Sequence, residues 1–484
     1  MSCGSPAQAD EHGEPEQALM PKRRPIPSRG SRICQRCREA RAMFIIRSAL
    51  YCRSCFEQNM RQRLMRQLYP ALRPDEARSK NPSKRDNVRP PIQRGNALIA
   101  LSGGAGSMAM LDMMIASGFI GQGDGRRADL KKGEKEILWD HATVVHVDFS
   151  GVSDGIEDRT EWLQGVAAAR GLKFIAVKAE DVFDVGLAAR LGLQKASERP
   201  MPVLEVGIHD AGMSLKATTS SETPLQSLKR MLATLSPASR PAFLCNVLDA
   251  ILEQVARGLP DVSHLLLGET STRQAQRIIS GTALGRGWSL PLELASSCKS
   301  EGYYQVRAMK DISIKEASMY CWVNRRAMQN HRKWTAGDLH SGSRGKGSTS
   351  LEGLTEDFIA GLSVTHPATV STITRTGEKL MFAGGDDRDS ICPLCRLPKE
   401  QDPLEWKSKT SLTSLRPALT STEDEESARF DLAPHLCYGC LTTLTASASK
   451  KGAPQSAILP QWISDRIRRE AMRSEISEFL LDDT

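Results

Sequence analysis

The chain has 484 residues with 12 cysteines, and 40% of its residues are hydrophobic and 25% charged. At about 100–200 residues per domain this length allows two to four folded units, and the composition excludes disorder throughout. No apolar run of about 18 residues is uninterrupted, so the sequence predicts no transmembrane helix. Residues 1–20 are polar and acidic and lack a secretory signal pattern. We therefore expect a cytoplasmic protein with reduced thiols, whose cysteines require a metal or catalytic explanation.

Positive charge is concentrated near the N-terminus. The whole chain has a net charge of +8, whereas residues 22–94 contain 20 Lys and Arg against 5 Asp and Glu. Such a local basic surface indicates a polyanionic partner such as nucleic acid. A solvated basic arm without a partner is the alternative. Membrane binding is disfavoured, because the stretch has no amphipathic anchor with aromatic residues at helical spacing.

Changes in composition divide the chain into six segments. They are a disordered N-terminus (1–30), a zinc ribbon with a basic helix (31–69), a proline-rich linker (70–94), an α/β domain (95–385), a second cysteine module with an acidic insertion (386–445) and a C-terminal helix region (446–484).

Short apolar runs alternate with helical patterns after Gly95. Strands are predicted at 97–101, 143–149, 173–177 and 264–268, and helices at 108–116, 157–170, 243–257 and from Arg273. This alternation predicts a parallel, doubly wound α/β sheet. Residues 195–224 are predicted to be irregular, and residues 369–383 to form a small hairpin.

Eight cysteines are arranged as two pairs of Cys-x-x-Cys knuckles: Cys34, Cys37, Cys52 and Cys55, then Cys392, Cys395, Cys437 and Cys440. Two knuckles can enclose one Zn²⁺ in a tetrahedron of thiolates, so we predict two structural zinc sites. An iron–sulfur cluster remains the alternative, since four thiolates also suit it. A thioredoxin-like redox pair is disfavoured, because it needs a single Cys-x-x-Cys at the start of a helix.

A glycine-rich loop follows the first strand of the α/β domain. Ser102, Gly103, Gly104 and Ser107 lie between a buried strand and an apolar helix. Glycines allow the backbone to approach an anion, and the N-terminus of a helix presents free N–H groups to it. The arrangement predicts a phosphate-binding loop.

This loop resembles the pyrophosphate loop of the adenine nucleotide alpha-hydrolase superfamily, whose usual pattern is Ser-Gly-Gly-x-Asp-Ser. Gly106 stands where that superfamily places Asp. Residues 268–273, 281–287 and 307–311, together with the C-terminal knuckles, resemble the cytoplasmic tRNA 2-thiolation protein 2 family. The resemblance covers most of residues 30–465.

The resemblance implies a sheet of the pyrophosphate-loop ATPase type flanked by N- and C-terminal zinc modules. It implies a heterodimer with a catalytic thiolase paralogue, tRNA as partner, and sulfur from a ubiquitin-like carrier that ends in a thiocarboxylate. The target would be the wobble uridine of tRNAs for Lys, Glu and Gln, and the carrier would link the chain to protein conjugation.

The chain departs from the catalytic paralogue at several positions at once. The loop Asp and an acidic pair after the fourth strand are replaced, and residues 236–241 and 327–350 lack the sulfur-handling cysteines. We therefore expect no catalytic residues, and the sequence leaves open whether ATP still binds. An active ATP-dependent tRNA sulfurtransferase and a zinc-dependent RNA-binding scaffold remain the alternatives.

Five arginines are candidates for RNA contact. Arg61, Arg63 and Arg66 follow the first cysteine quartet on a predicted helix. Arg273 and Arg286 follow the fourth strand, at the edge of the sheet where this class of fold binds ligands.

Overall fold

The computed structural model describes residues 33–47, 49–72, 95–121, 137–153, 155–184, 186–191, 203–209, 212–218, 222–300, 302–329, 350–382, 391–410, 430–445 and 456–467. Its contacts separate two compact units, Met1–Asn59 and Met60–Thr484. The predicted disordered N-terminus, most of the linker, most of the acidic insertion and the end of the C-terminal helix lie outside the described residues. Among the described residues, no helix combines the length and hydropathy needed to cross a membrane.

The smaller unit is built on a hairpin followed by the start of a helix. Strands β1 (Phe44–Ile46) and β2 (Ala49–Tyr51) pair antiparallel, and helix α1 extends over Arg53–Leu72. The rings of Phe44 and Phe56 lie 5.0 Å apart between their centroids. The boundary between the two units falls within α1.

The larger unit contains ten further strands. They are β3 (Asn96–Ala100), β4 (Ala142–Asp148), β5 (Lys173–Lys178), β6 (Val203–His209), β7 (Gly212–Thr218), β8 (Val262–Leu267), β9 (Ser297–Lys299), β10 (Tyr304–Arg307), β11 (Phe430–Asp431) and β12 (Ser456–Ile458).

Its helices follow in chain order. They are α2 (Ala105–Ala116), α3 (Thr160–Ala168), α4 (Leu187–Arg190), α5 (Pro224–Thr234), α6 (Arg240–Gly258), α7 (Ser271–Ala283), α8 (Leu290–Leu294), α9 (Ile314–Val323), α10 (Leu351–Thr365), α11 (Pro367–Gly377), α12 (Pro403–Thr410) and α13 (Tyr438–Thr445), with a further helix at 461–467.

The main sheet has the strand order β5-β4-β3-β8-β10-β9. All neighbouring pairs are parallel except β9, which is antiparallel to β10 at the edge. The prediction of a parallel α/β sheet is confirmed. The chain adds β4 and β5 on one side of β3, and β8 and β10 on the other. Such a reversal of strand order opens a crevice at the carboxyl ends of the central strands, where ligands usually bind in open α/β sheets.

A second, antiparallel sheet has the order β11-β7-β6-β12. The prediction that residues 195–224 are irregular is therefore wrong, because β6 and β7 pair as a hairpin over their full length. Strand β12, from near the end of the chain, pairs with β6. A strand that pairs with a partner so distant in sequence is hard to predict from the local pattern of residues 195–224.

The small hairpin predicted at 369–383 is also wrong, because α11 occupies most of this stretch. Val370, Thr374 and Gly377 are its buried residues, at helical spacing. Thr374 donates its hydroxyl hydrogen to Val370 O one turn earlier, and a Cβ on Gly377 would overlap Ile278 of α7. Tertiary packing against α7 thus favours a helix in this stretch.

Candidate functional site

The first cysteine quartet flanks the β1–β2 hairpin, with one knuckle before β1 and one after β2. Cys34 and Cys37 precede β1, whereas Cys52 and Cys55 lie at the start of α1. The four thiol sulfurs all lie within 4.8 Å of one another. Burial raises the pKa of the Cys34 thiol, but hydrogen bonds from the backbone of Cys37 and Cys52 lower it more, to about 6. A depressed thiol pKa favours the thiolate, which is the form that binds metal.

The second quartet has the same geometry inside the larger unit. The sulfurs of Cys392, Cys395, Cys437 and Cys440 also lie within 4.8 Å of one another, although 41 residues separate the two knuckles. Cys392, Cys437 and Cys440 belong to the hydrophobic core that also contains residues of the main sheet. The second quartet is therefore integrated into the larger unit rather than attached to its surface.

Both quartets have the spacing of a site for one tetrahedral ion. The Sγ atoms of Cys37 and Cys52 are 3.9 Å apart, and those of Cys395 and Cys437 are 3.7 Å apart. Zinc–sulfur bonds of about 2.3 Å in a tetrahedron place the sulfurs about 3.8 Å apart. Both sites can therefore hold a metal ion through four cysteine ligands.

The glycine loop lies at the carboxyl end of β3, as the sequence predicts, but its polar groups are engaged within the protein. The Ser102 and Ser107 hydroxyl oxygens are 3.2 Å apart, and Ser107 also donates to Gly104 O at 3.1 Å. Gly103 and Ser107 are buried, whereas Ser102 is exposed. Gly103 has a φ of +80°, and a Cβ there would lie 2.6 Å from the Trp162 ring.

Gly106 is the position at which the loop departs most from a working pyrophosphate loop. A Cβ on Gly106 would overlap the carbonyl oxygen of Gly268, which follows β8. A Cβ on Gly268 would in turn lie 2.6 Å from the backbone nitrogen of Ser107. The two backbones approach so closely that the aspartate expected in this superfamily has no space.

A segment that follows α9 lies against the same loop. The backbone N–H of Gln329 donates to Gly103 O at 3.0 Å, and Arg159 donates to Gln329 O at 2.7 Å. Arg326 pairs with Asp112 of α2 at 2.6 Å. These contacts hold residues 326–329 against the glycine loop and α2.

Cys321 of α9 lies near the glycine loop. Its thiol lies 3.7 Å from the carbonyl oxygen of Ala105, at the start of α2. Burial raises the pKa of this thiol to about 12. The side chain therefore remains a neutral thiol and is a poor nucleophile.

The three arginines predicted on α1 have different environments. Arg66 is exposed and Arg61 is half-buried, as an RNA-binding surface requires. Arg63 is buried, and its guanidinium pairs with Glu316 at 2.8 Å and with Asp311 at 3.0 Å. Its burial and these internal ion pairs leave Arg63 without the exposure that contact with RNA needs.

Arg273 and Arg286 are likewise engaged inside the larger unit. Arg273 pairs with Glu356 of α10, and Arg286 donates to Glu293 at 2.9 Å. The stem of Arg286 also packs against the second quartet, where a Cβ on Gly439 would lie 2.7 Å from its Cγ. Both guanidiniums have carboxylate partners on neighbouring elements, and their contact with RNA stays a prediction.

Sequence reasoning missed an arginine-rich region between α6, α7 and β10. Glu253 of α6 forms ion pairs with arginines of three different segments, and Glu269, two residues after β8, forms ion pairs with Arg277 and Arg307. The sequence offered one indication of this region, because Arg273 and Arg277 are four residues apart and lie on the same face of α7. The acidic partners could not be found, because they are distant in sequence.

These features define a parallel α/β protein with a glycine-rich loop at the carboxyl end of β3 and two four-cysteine metal-site candidates. A family model described as cytoplasmic tRNA 2-thiolation protein 2 matches residues 350–442. A zebrafish (Danio rerio) protein of that name is 26% identical over 522 residues, covering 95% of this chain and 96% of the relative. One from the yeast Debaryomyces hansenii is 21% identical, covering 87% and 90%.

Among solved structures, the U34-tRNA thiolase NcsA from Methanococcus maripaludis, with its [4Fe-4S] cluster, is similar at 12% identity with a TM-score of 0.45. The match covers 79% of this chain and 98% of that one. The family model and these relatives show that the chain is similar to the cytoplasmic tRNA 2-thiolation protein 2 family over most of its length.

Proposed function

We propose that the chain is a noncatalytic subunit of the cytoplasmic machinery that 2-thiolates tRNA, acting in a heterodimer with a catalytic thiolase paralogue. The names of its relatives support cytoplasmic tRNA 2-thiolation. The finer features follow from the family resemblance: wobble uridine of tRNAs for Lys, Glu and Gln as target, a thiocarboxylated ubiquitin-like protein as sulfur source, and a role in conjugation of that carrier.

The close approach of Gly106 to Gly268 carries the noncatalytic assignment. A pyrophosphate loop assists catalysis by placing charged and hydrogen-bonding groups around a reacting phosphate. Here the acidic position is a glycine with no space for a side chain, and Gln329 occupies the carbonyl of Gly103. The acidic group is therefore absent, and the Ser107 hydroxyl and the Gly103 carbonyl have partners within the protein.

Two of the cysteines outside the quartets, Cys245 and Cys321, are poorly suited to carry sulfur. Burial raises the pKa of both Cys245 and Cys321, so both thiols are protonated at neutral pH. Sulfur transfer requires a thiolate as nucleophile. This supports a division of labour in which the paralogue supplies the sulfur-handling groups.

We assign one structural zinc ion to each quartet. The observed sulfur separations fit a single tetrahedral ion, whereas an iron–sulfur cluster inserts iron and sulfide between its cysteines and holds them farther apart. Four thiolates leave no open coordination position for water or substrate. The zinc would therefore supply folding stability and no catalytic step.

The basic stretch near the N-terminus supplies the proposed tRNA contact. Arg61 and Arg66 remain available on α1 after the exclusion of Arg63. Phosphate contacts of this kind provide affinity without reading the base sequence. The proposed role is to hold tRNA for the partner subunit.

Reconstitution tests the proposal. The purified catalytic paralogue, tRNA, ATP and a sulfur donor are assayed for 2-thiouridine with and without this chain. We expect co-purification of the two chains and thiolation that depends on both. This chain alone should release no pyrophosphate from ATP with tRNA; release at a rate comparable to the complex would identify it as an enzyme. Undiminished thiolation without the chain would contradict the subunit role.

A further inference from the structure

We propose that α9 presents a base-stacking surface, centred on Trp322, for an unpaired nucleotide of tRNA. The inference rests on the proposed function and adds the surface by which the chain would hold a single-stranded part of the tRNA. Trp322 is 72% exposed, and among the described residues no aromatic side chain is more exposed. Tryptophan is highly buried on average in folded proteins. An aromatic ring open to solvent is the group on which proteins stack unpaired bases.

The ring belongs to a stripe on the outer side of α9. Lys315, Met319 and Trp322 are spaced i, i+4 and i+7, so they lie along the same side of the helix. Lys315 is exposed and Met319 is half-buried, whereas Glu316 and Tyr320 belong to the buried side. At 1.5 Å per residue, Lys315 and Trp322 are about 10 Å apart along the helix axis. A cation and an aromatic ring thus share one exposed surface.

A second cation lies beyond the ring, at the end of the helix. Lys315 and Arg325 are both exposed, and neither is paired with a carboxylate among the described residues. Arg325 has a left-handed backbone with a φ of +51°. Glycine is the usual residue in this conformation at a helix end, and a larger side chain there costs free energy. The chain therefore carries backbone strain at the position where Arg325 supplies a cation three residues from Trp322.

The acidic groups of this segment are engaged on the other side of α9. Asp311 and Glu316 are the acids among residues 311–329, and both pair with Arg63 of α1, at 3.0 and 2.8 Å. The exposed residues of this segment therefore include cations but no carboxylate. The same ion pairs hold α1, with its exposed Arg66, beside α9. The charge of the surface is thus complementary to a polyanion.

The surface continues to the edge of the main sheet where ligands bind in open α/β folds. Arg326 pairs with Asp112 of α2 at 2.6 Å and remains 44% exposed. Three residues later, the Gln329 backbone N–H donates to Gly103 O of the glycine loop. Residues 326–329 therefore connect Trp322 with the carboxyl end of β3. A nucleotide stacked on Trp322 would lie beside this edge.

Single-stranded RNA fits this surface better than a protein partner does. Tryptophan and arginine are also frequent at protein interfaces, but the centre of such an interface is apolar and depleted of lysine. Here Lys315 and Arg325 lie on either side of the ring along the chain. Stacking on an aromatic ring accepts any unpaired base, and the cations beside it contact the backbone phosphates. We therefore assign the surface to an unpaired segment of tRNA rather than to the paralogue.

Fluorescence anisotropy of the full chain, without the paralogue, tests the stacking. The probes are a labelled oligouridylate of about 12 nucleotides and an RNA duplex of the same length. W322A should weaken binding of the single strand by about fivefold to a hundredfold and leave duplex binding unchanged, whereas W322F, which keeps a ring, should weaken it by about threefold or less. W406A is the matched control, because Trp406 is 56% exposed and lies on α12. It should bind both probes as the wild type does.

A pair of charge variants tests the contribution of the cations. K315Q/R325Q should reduce the slope of log affinity against log salt by about 1.4, since each phosphate contact of a single strand contributes about 0.7. K299Q/K379Q removes two exposed lysines elsewhere and should keep the wild-type slope. All these side chains are exposed, so the variants should unfold at the wild-type temperature.

The proposal is overturned if the wild type binds no single-stranded RNA, if W322A retains its affinity, or if W322A weakens both probes equally. It is also overturned if W322A loses co-purification with the paralogue while its RNA affinity is unchanged, because α9 would then be a protein interface. The binding assay contains neither the paralogue nor a sulfur donor. Failure of the stacking surface is therefore read separately from failure of the subunit role in thiolation.

Discussion

Arg63 illustrates how a single residue changes role between the sequence and the fold. In the sequence it is one of a run of basic residues on a helix, whereas in the structure it is 6% exposed and joins α1 to Asp311 and to the first turn of α9. Glu316 also accepts from the Ser313 backbone as part of the helix cap. Arg63 therefore connects α1 to α9 and to the segment before α9.

Replacing Arg63 by methionine should destabilise the larger unit by about 3–5 kcal/mol, because it leaves the Glu316 carboxylate buried without its cation. The matched variant R66M removes an exposed arginine from the same helix and should change stability by less than about 0.5 kcal/mol. Urea unfolding of both variants measures the difference. Equal stabilities would mean that the buried ion pair is not formed.

His264 is a second residue whose behaviour depends on burial. Its Nδ1 accepts from Trp139 Nε1 at 3.1 Å, and its Nε2 lies 3.3 Å from Ala71 O of α1. Burial lowers its pKa from 6.5 to about 4. The folded protein therefore holds the neutral ring over a range of pH where the unfolded chain would bind a proton.

Stability should accordingly be complete above pH 6.5 and fall as the pH is lowered to 4, with His264 contributing about 3 kcal/mol of the loss. The variant H264N should lose correspondingly less stability over this range, whereas H141N, which changes an exposed histidine, should follow the wild type. Unfolding measured at pH 7, 5.5 and 4 tests this. A wild-type-like pH profile for H264N would contradict it.

At the scale of elements, contact with the loop after β8 limits which side chains the glycine loop can carry at position 106. Gly106→Asp would restore the superfamily's acid, yet we expect it to cost about 1–3 kcal/mol or more, because the new side chain meets the Gly268 backbone. Gly104→Asp is the control, since its Cβ would have 3.6 Å to the nearest atom, Ser102 Oγ, and its backbone has a φ of −75°.

Thermal unfolding and pyrophosphate release by the complex are measured for both loop variants. The steric explanation would be contradicted if G106D were as stable as the wild type and the single chain gained activity. In that case the Gly268 backbone would leave room for an aspartate at position 106.

The two cysteine quartets should differ in the consequence of losing their metal. Because Cys392 lies in the core of the larger unit, C392S should lower the unfolding temperature of that unit, whereas C34S should unfold only the smaller unit. Elemental analysis should give about two zinc ions per wild-type chain and about one in either variant. C298S, which alters a cysteine outside both quartets, should retain both ions.

Iron with acid-labile sulfide in place of zinc would contradict the assignment.

At the scale of the whole molecule, the charge distribution determines how tRNA would be held. Reversing two exposed or half-buried arginines, in R61E/R66E, should weaken tRNA binding by the complex and reduce the slope of log affinity against log salt by about 2. The control K299E/K379E reverses two exposed lysines elsewhere on the larger unit. Filter binding at several salt concentrations gives both slopes. An unchanged slope for R61E/R66E would place the tRNA contact outside α1.

The sequence by itself determined the features that depend on local patterns. Apolar runs of five to seven residues specified β3, β4 and β8, and the knuckle spacing identified both quartets, because each knuckle is a self-contained turn. The glycine loop was found for the same reason. The resemblance of the chain to a known family came from short motifs, which can be recognised without knowledge of the fold.

Only the tertiary structure decided which charged and glycine residues are available for function. Arg63, Arg273 and Arg286 acquire carboxylate partners from other elements, and Gly106 has no space because Gly268, 162 positions later in the chain, lies against it. The arginine-rich region likewise assembles from α6, α7 and β10, which are distant in sequence. Burial, ion pairing and steric clearance depend on neighbours that are distant in sequence, so no local pattern can encode them.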